Sequence, residues 1–132
     1  MWNHLDKYRD AGLLIARIGL GFMFAFVHGW PKLTGGPELW AKVGGAMSRF
    51  GLGFYPEFWG FMAMTAEFGG GLLLALGLWF RPALAVMVFT MFVAAVHHLA
   101  SGDSLGTASH AIESGIIFAA LFLMGPGRYS LD

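Results

Sequence analysis

The sequence predicts an all-α membrane protein, a bundle of four transmembrane helices with a short interfacial helix between the first and second spans. Of the 132 residues, 57% are apolar and only 12% are charged, which lies outside the range of ordinary soluble domains. Four apolar stretches each approach the roughly 20 residues that a helix needs to cross the hydrocarbon. The predicted spans, within a single transmembrane domain of residues 1–132, are residues 11–28, 58–80, 82–100 and 105–124.

The breaks between these stretches indicate how the helices are connected. Arg81-Pro82 suits a tight turn that starts a new helix, and the polar segment 101–104 forms a second short connection. The second, third and fourth spans are therefore expected to be antiparallel neighbours. The connection from Gly29 to Glu57 is longer and has apolar residues at helical spacing, which predicts the interfacial helix; these residues are Leu39, Trp40, Val43, Met47 and Phe50.

The composition also restricts the chemistry and the partners of the chain. It has no cysteine, which excludes disulfides, thiolate metal sites and dithiol redox chemistry by the protein itself. Eight basic and eight acidic residues cancel without forming a basic patch, so the expected partner is the lipid bilayer and not nucleic acid. A homo-oligomer is compatible with this composition. Four basic residues on one side of the membrane against three on the other favour cytoplasmic termini.

Two charged residues lie near the middle of predicted spans, Arg17 in the first and Glu67 in the second. A charge near the bilayer centre costs at least about 2.5–3.5 kcal/mol, so each should face the bundle interior and be paired. We therefore predict a buried Arg17–Glu67 ion pair. Arg17, Gly21, Ala25 and His28 share one helical stripe, which should face the other helices. The alternative is that the pair only sets the helix register.

A second group of ionisable residues lies near the connection between the third and fourth spans. It comprises His97, His98, His110 and Glu113, of which the last two are three residues apart and share a helical face. Two imidazoles and a carboxylate could bind a metal ion or relay protons. The alternative is that these histidines lie at the interface and extend their rings to water.

Several of these residues fall in segments that carry a family resemblance. The first segments are Arg17-Ile18-Gly19-Leu20-Gly21 and Val27-His28-Gly29-x-x-Lys32-Leu33. The next is Ala66-Glu67-Phe68-Gly69-Gly70-Gly71, which continues through Arg81-Pro82 toward Met91 and Ala95. In this order the motifs resemble the DoxX family of small bacterial four-helix membrane proteins, over most of residues 15–98.

The resemblance implies a multi-pass protein of the bacterial cytoplasmic membrane that acts as an oxidoreductase subunit linked to quinone. We expect the bundle to bind a quinone or a similar apolar ligand, with Arg17, Glu67, His28 and Lys32 as the ligand-binding residues. Within that set, three residues are expected to be catalytic: His28 and Lys32, which would donate hydrogen bonds, and Glu67, which would relay protons. Because no flavin or haem motif is recognisable, a soluble or membrane redox partner subunit is also expected.

The sequence leaves three other functions open. In the first, the chain is a non-catalytic membrane adaptor or assembly partner, and its polar residues are purely structural. In the second, it carries a small solute, although the sequence contains no inverted repeat of the kind that many transporters have. In the third, it is a metal-dependent membrane enzyme that uses the histidine group near the third connection.

Overall fold

Four long helices dominate the computed structural model, which describes residues 2–132. Each is long and apolar enough to cross a membrane: span 1 is Asn3–Leu33, span 2 is Pro56–Leu76, span 3 is Phe80–Ala100 and span 4 is Leu105–Met124. The described residues contain no β-strand. The predicted four-helix membrane fold is therefore confirmed, and the predicted bounds of the fourth span coincide with those of the structure.

Span 1 is longer than the predicted residues 11–28 at both ends. A 3₁₀ segment, Asn3–Tyr8, precedes the α-helix Arg9–Phe22, and a π-helical segment, Met23–Gly29, leads into a last turn, Trp30–Leu33. The predicted span was too short because an apolar run marks only the part of a helix that lies in the hydrocarbon. Helical hydrogen bonding continues beyond that run through polar residues. The wider π-helical turn also changes which side chains face span 2.

Spans 1 and 2 cross at a point where neither helix carries a large side chain. A Cβ atom added to Gly21 would lie 2.7 Å from the backbone nitrogen of Ala75, and one added to Gly71 would lie 2.7 Å from that of Ala25. The backbones are therefore in contact, as the small-residue stripe on span 1 predicted. Beside this crossing lies the apolar core, which includes Leu74, Phe80, Leu84, Met87 and Phe118.

The outward faces of the four spans are also apolar. Large hydrophobic side chains are exposed along all of them, for example Ile15, Phe22, Phe89, Ile116 and Leu123. A water-soluble monomer rarely exposes such extensive apolar surface. These side chains are suited to contact with lipid, and the chain is a membrane protein.

A short connecting helix, Pro37–Gly44, joins span 1 to span 2 and continues as the 3₁₀ segment Gly45–Phe50. This helix is the predicted one between the first two spans, and it packs across the beginning of span 2. A Cβ atom added to Gly44 would lie 2.6 Å from the backbone nitrogen of Gly60, so the two backbones touch here. Arg49 then donates a hydrogen bond to the Ser101 hydroxyl at 2.9 Å, which ties the segment to the connection between spans 3 and 4.

Both ends of the chain lie at the opposite end of the bundle from the connecting helix. The backbone N–H of Arg128 donates to the carboxylate of Asp10 at 3.1 Å. The Asp132 carboxylate accepts from the backbone N–H groups of Trp79 and Phe80 at 2.8 and 3.0 Å, at the beginning of span 3. A carboxylate at this position satisfies two helix N–H groups that have no partner within the helix.

Candidate ligand-binding site

A cavity of about 490 Å³ lies between the connecting helix, span 2 and span 3. Its volume falls within the range of about 300–1,000 Å³ that is usual for small-molecule sites. Its walls are mostly apolar, with side chains such as Val43, Met47, Met62 and Val93. The polar and charged side chains that line it are Lys32, Lys42, Trp59, Glu67, Thr90, His97 and His98.

The charged centre of the cavity is an ion pair between Lys32 and Glu67. The Lys32 Nζ atom lies 3.4 Å from Glu67 Oε2. Glu67 projects inward from the middle of span 2, and its side chain is only 10% exposed, whereas the Lys32 side chain is 40% exposed. Lys32 reaches this position from the last turn of span 1. The lysine therefore supplies the positive charge that a carboxylate at this depth requires.

The predicted Arg17–Glu67 pair is wrong, because Arg17 binds backbone oxygens instead. Arg17 is 2% exposed, and its guanidinium donates to the carbonyl of Pro126 at 2.8 Å, that of Ala75 at 3.2 Å and that of Leu74 at 3.3 Å. The last two belong to the final turn of span 2, where the helix dipole favours a cation. Glu67 precedes Leu74 by seven residues, about 10 Å along the helix.

His28 does not share the face that Arg17, Gly21 and Ala25 present to span 2. The π-helical segment places Gly29 there, and a Cβ atom added to Gly29 would lie 2.6 Å from the backbone nitrogen of Phe68. The His28 ring instead stacks on His110 of span 4, with 4.5 Å between ring centroids. Of the four predicted ligand-binding residues, the cavity thus contains Lys32 and Glu67, whereas Arg17 and His28 lie outside it.

The four residues predicted as metal ligands are not brought together. His97 and His98 both line the cavity, but the Nδ1 atom of His98 lies 2.9 Å from the Asp103 carboxylate, and His110 stacks on His28 of span 1. Glu113 is exposed on span 4. Within residues 2–132, no group of three or more histidine, aspartate or glutamate side chains is arranged to hold a metal ion. The structure therefore does not assemble the predicted metal site.

Two side chains of the cavity wall each carry a buried nitrogen atom, a pairing that the sequence does not indicate. The Trp59 indole nitrogen and the His97 Nδ1 atom are both buried, and neither has a hydrogen-bond partner in the part of the chain that the structure describes. A buried N–H group without a partner is costly, and an indole N–H can only donate. A sequence signal for Trp59 was present, because Trp59, Ala63 and Glu67 are spaced four residues apart and so share one face of span 2.

The comparison with protein families adds to this geometry. The DoxX family model matches residues 12–99. The chain belongs to the DoxX family. Every residue that lines the cavity, from Lys32 to His98, lies within the matched DoxX segment. His110 and Glu113 lie beyond it. The cavity is therefore built wholly from the part of the chain that defines the family.

Two proteins of Escherichia coli (strain K12) are similar to this DoxX chain over nearly their whole length. Inner membrane protein YqjF is 35% identical in an alignment of 132 positions that covers 97% of this chain and 95% of the relative. Inner membrane protein YphA is 30% identical in an alignment of 143 positions, gaps included, that covers 96% of each chain. No solved structure gives a significant match to the chain.

The Lys32–Glu67 pair should be visible in a double-mutant cycle. We expect Lys32→Met to lower the free energy of unfolding in detergent by about 1–2 kcal/mol, because it leaves a buried carboxylate unpaired but the lysine itself is partly exposed. Glu67→Gln should lower the free energy of unfolding by less than Lys32→Met does, and the double variant should be more stable than Lys32→Met alone. Lys42→Met is the control, since this exposed lysine lines the same cavity without an ion pair. Strictly additive losses would show that the two charges do not interact.

Proposed function

We propose that this DoxX-family chain binds a quinone in the cavity and serves as the membrane subunit of a quinone-linked oxidoreductase. The observation that carries the proposal is a mostly apolar cavity of about 490 Å³ whose wall includes Trp59 and His97, each with a ring nitrogen that has no hydrogen-bond partner among the described residues. An uncharged ring that carries carbonyl oxygens matches this wall when His97 carries its proton on Nδ1, because carbonyls only accept hydrogen bonds and the remaining surface of the ring is apolar.

The polar groups of the cavity lie at two depths. Trp59 is near the beginning of span 2 and His97 near the end of the antiparallel span 3, so both belong to the same end of the bundle. Glu67 follows Trp59 by eight residues, which places it about 12 Å deeper along span 2. Donors at the level of Trp59 would orient a carbonyl of the ligand, and the Lys32–Glu67 pair would lie on the deeper side of the ring.

Glu67 and Lys32 are suited to moving protons beside a bound ring. A lysine ammonium donates, and a carboxylate accepts, so adjacent groups of this kind can pass a proton between them over a hydrogen-bond distance. A quinone supplies the redox chemistry when bound, and the electrons would come from a partner subunit. Arg17 and His28 lie outside the cavity and take no part in the proposed chemistry.

The proposed location is the bacterial inner membrane, with both termini in the cytoplasm. The names of the relatives YqjF and YphA describe inner membrane proteins, and both align with nearly the whole of this chain. The orientation rests on the slight excess of basic residues on the side of the termini.

Removal of the indole N–H tests the proposal. In lipid nanodiscs, Trp59→Phe should lower the affinity for a decyl-substituted benzoquinone about tenfold, because one hydrogen bond to the ligand is lost while the aromatic wall remains. His97→Phe should have a similar effect. The amount bound is measured by equilibrium dialysis, with protein-free nanodiscs as the correction for partition into lipid.

Trp79→Phe is the matched control, since the Trp79 side chain is 69% exposed and lies outside the cavity. It should bind the benzoquinone like the wild type. Binding by the wild type that does not exceed partition into protein-free nanodiscs would refute the proposal, and it would favour a non-catalytic adaptor role. Equal losses in the Trp59 and Trp79 variants would place the ligand elsewhere.

A further inference from the structure

A second cleft continues from the cavity along the boundary between spans 2 and 3. Its volume is about 290 Å³, and three of its residues, Met62, Ala66 and Val86, also line the first cavity. The two spaces therefore adjoin each other at the protein surface, and together we call them the channel. The tail groove is the part of the second cleft that extends beyond the cavity. The inference drawn from it rests on the proposed function.

The walls of the tail groove are almost entirely apolar. Beyond the shared residues they consist of Gly69, Gly70, Leu73 and Ala83, together with one hydroxyl-bearing residue, Thr65. No ionisable side chain lines it. Trp59 lies at one end of the channel and Leu73 at the other. The two residues are 14 positions apart on span 2, which corresponds to about 21 Å along the helix. The channel thus carries the polar groups of the cavity from Trp59 to Glu67 and is apolar in the part that lies beyond them.

The channel is open toward the outer surface of the bundle between the two spans. Met62 and Val86, at the junction of the two spaces, are 49% and 52% exposed. Both lie on helices that cross the membrane, so this side of the channel faces the hydrocarbon of the bilayer. A ligand that is dissolved in the bilayer can therefore reach the cavity sideways, without passing through water.

From these observations we infer that the ligand of the cavity is a lipid-soluble amphiphile with a long hydrocarbon tail. Its hydrogen-bond-accepting head lies between Trp59 and Glu67, and its tail lies in the groove between spans 2 and 3. The small side chains of the groove provide the space, because Ala66, Gly69 and Ala83 leave room that larger residues would fill. A ligand with the same head but no tail would leave this apolar surface uncovered and so would bind more weakly.

Gly69 allows the groove to be filled without disturbing the protein. Gly69 lines the groove and a Cβ atom added there meets no atom within 4 Å, so a leucine can be introduced without a backbone clash. Leucine also favours a helix interior more than glycine does. Gly69→Leu should therefore fold normally. Gly19→Leu is the matched control, since an added Cβ atom on Gly19 also meets nothing within 4 Å and span 1 does not line the groove.

The experiment compares two probes in nanodiscs, a benzoquinone that carries a decyl tail and the same ring without the tail. We expect the wild type to bind the decyl compound more tightly than the bare ring. Gly69→Leu should reduce the affinity for the decyl compound tenfold or more and leave that for the bare ring unchanged. Gly19→Leu should match the wild type with both probes.

Equal affinity of the wild type for the two probes, or no effect of Gly69→Leu on the decyl compound, would overturn the tail groove while leaving quinone binding in place. A wild type that binds neither probe would overturn the proposed function as well. Native mass spectrometry gives an independent readout. A phospholipid that stays bound to the wild type in the presence of the decyl compound, and is lost in Gly69→Leu, would assign the groove to a bilayer lipid and overturn the inference.

Discussion

Replacing Arg17 with methionine is expected to lower the free energy of unfolding in detergent by about 3–4 kcal/mol, because three carbonyls lose a charged donor. The side chain is 2% exposed, and its partners are the carbonyls of Leu74, Ala75 and Pro126. Methionine fills much of the same volume but donates no hydrogen bond. The loss should appear as a lower thermal midpoint by circular dichroism and as release of the segment after span 4.

Two comparisons make this prediction specific. Arg128→Met removes an exposed arginine from the same end of the bundle and should change the free energy of unfolding by no more than about 0.5 kcal/mol. The double variant of Arg17→Met and Glu67→Gln should show additive losses, since the two residues have separate partners about 10 Å apart. A double variant that is more stable than Arg17→Met alone would contradict the observed geometry and restore the ion pair expected from the sequence.

The second large effect is expected from Gly44→Ala, which should lower the free energy of unfolding by about 3 kcal/mol and abolish ligand binding. An added Cβ atom meets the carbonyl oxygen of Pro56 and lies 2.6 Å from the backbone nitrogen of Gly60, so it can be accommodated only if the connecting helix moves away from span 2. The connecting helix supplies Leu39 and Val43 to the cavity wall. Its displacement therefore opens the cavity to water.

Gly45→Ala is the control for this prediction. Gly45 is the next residue, has an ordinary right-handed helical conformation, and an added Cβ atom there meets nothing within 4 Å. The alanine should leave both the thermal midpoint and benzoquinone binding close to those of the wild type. If the two alanine variants behave alike, the connecting helix is not held by backbone contact at Gly44.

These two substitutions test different parts of the same framework. Arg17 joins the end of span 2 to the segment after span 4 and so holds the bundle together at the end where the chain termini lie. Gly44 holds the connecting helix on the other end of span 2, where it covers the cavity. A mild change near Gly44 is expected to leave the bundle stable but to remove its ligand site. A change at Arg17, in contrast, should lower the stability of the whole fold.

The sequence alone determined the class of the protein, the number of its spans and the presence of the connecting helix. These features depend on the composition and apolar spacing of each segment. Both are local properties that do not depend on where the rest of the chain packs. The stripe of Gly21 and Ala25 was also readable, because close helix packing in lipid requires small residues at helical spacing. The same holds for Lys32 and Glu67 as residues of the candidate site, although the sequence predicts Arg17, and not Lys32, as the partner of Glu67.

Only the tertiary structure decided which groups meet. The partners of Arg17 are backbone carbonyls, and since every residue type has a carbonyl, no pattern of side chains could indicate them. The π-helical turn moved His28 off the predicted face, and the rotation of spans 2 and 3 about their axes placed Trp59 and His97 in one cavity. Helix rotation and relative height are set by packing over the whole bundle, so a sequence that specifies each helix locally leaves these quantities to the fold.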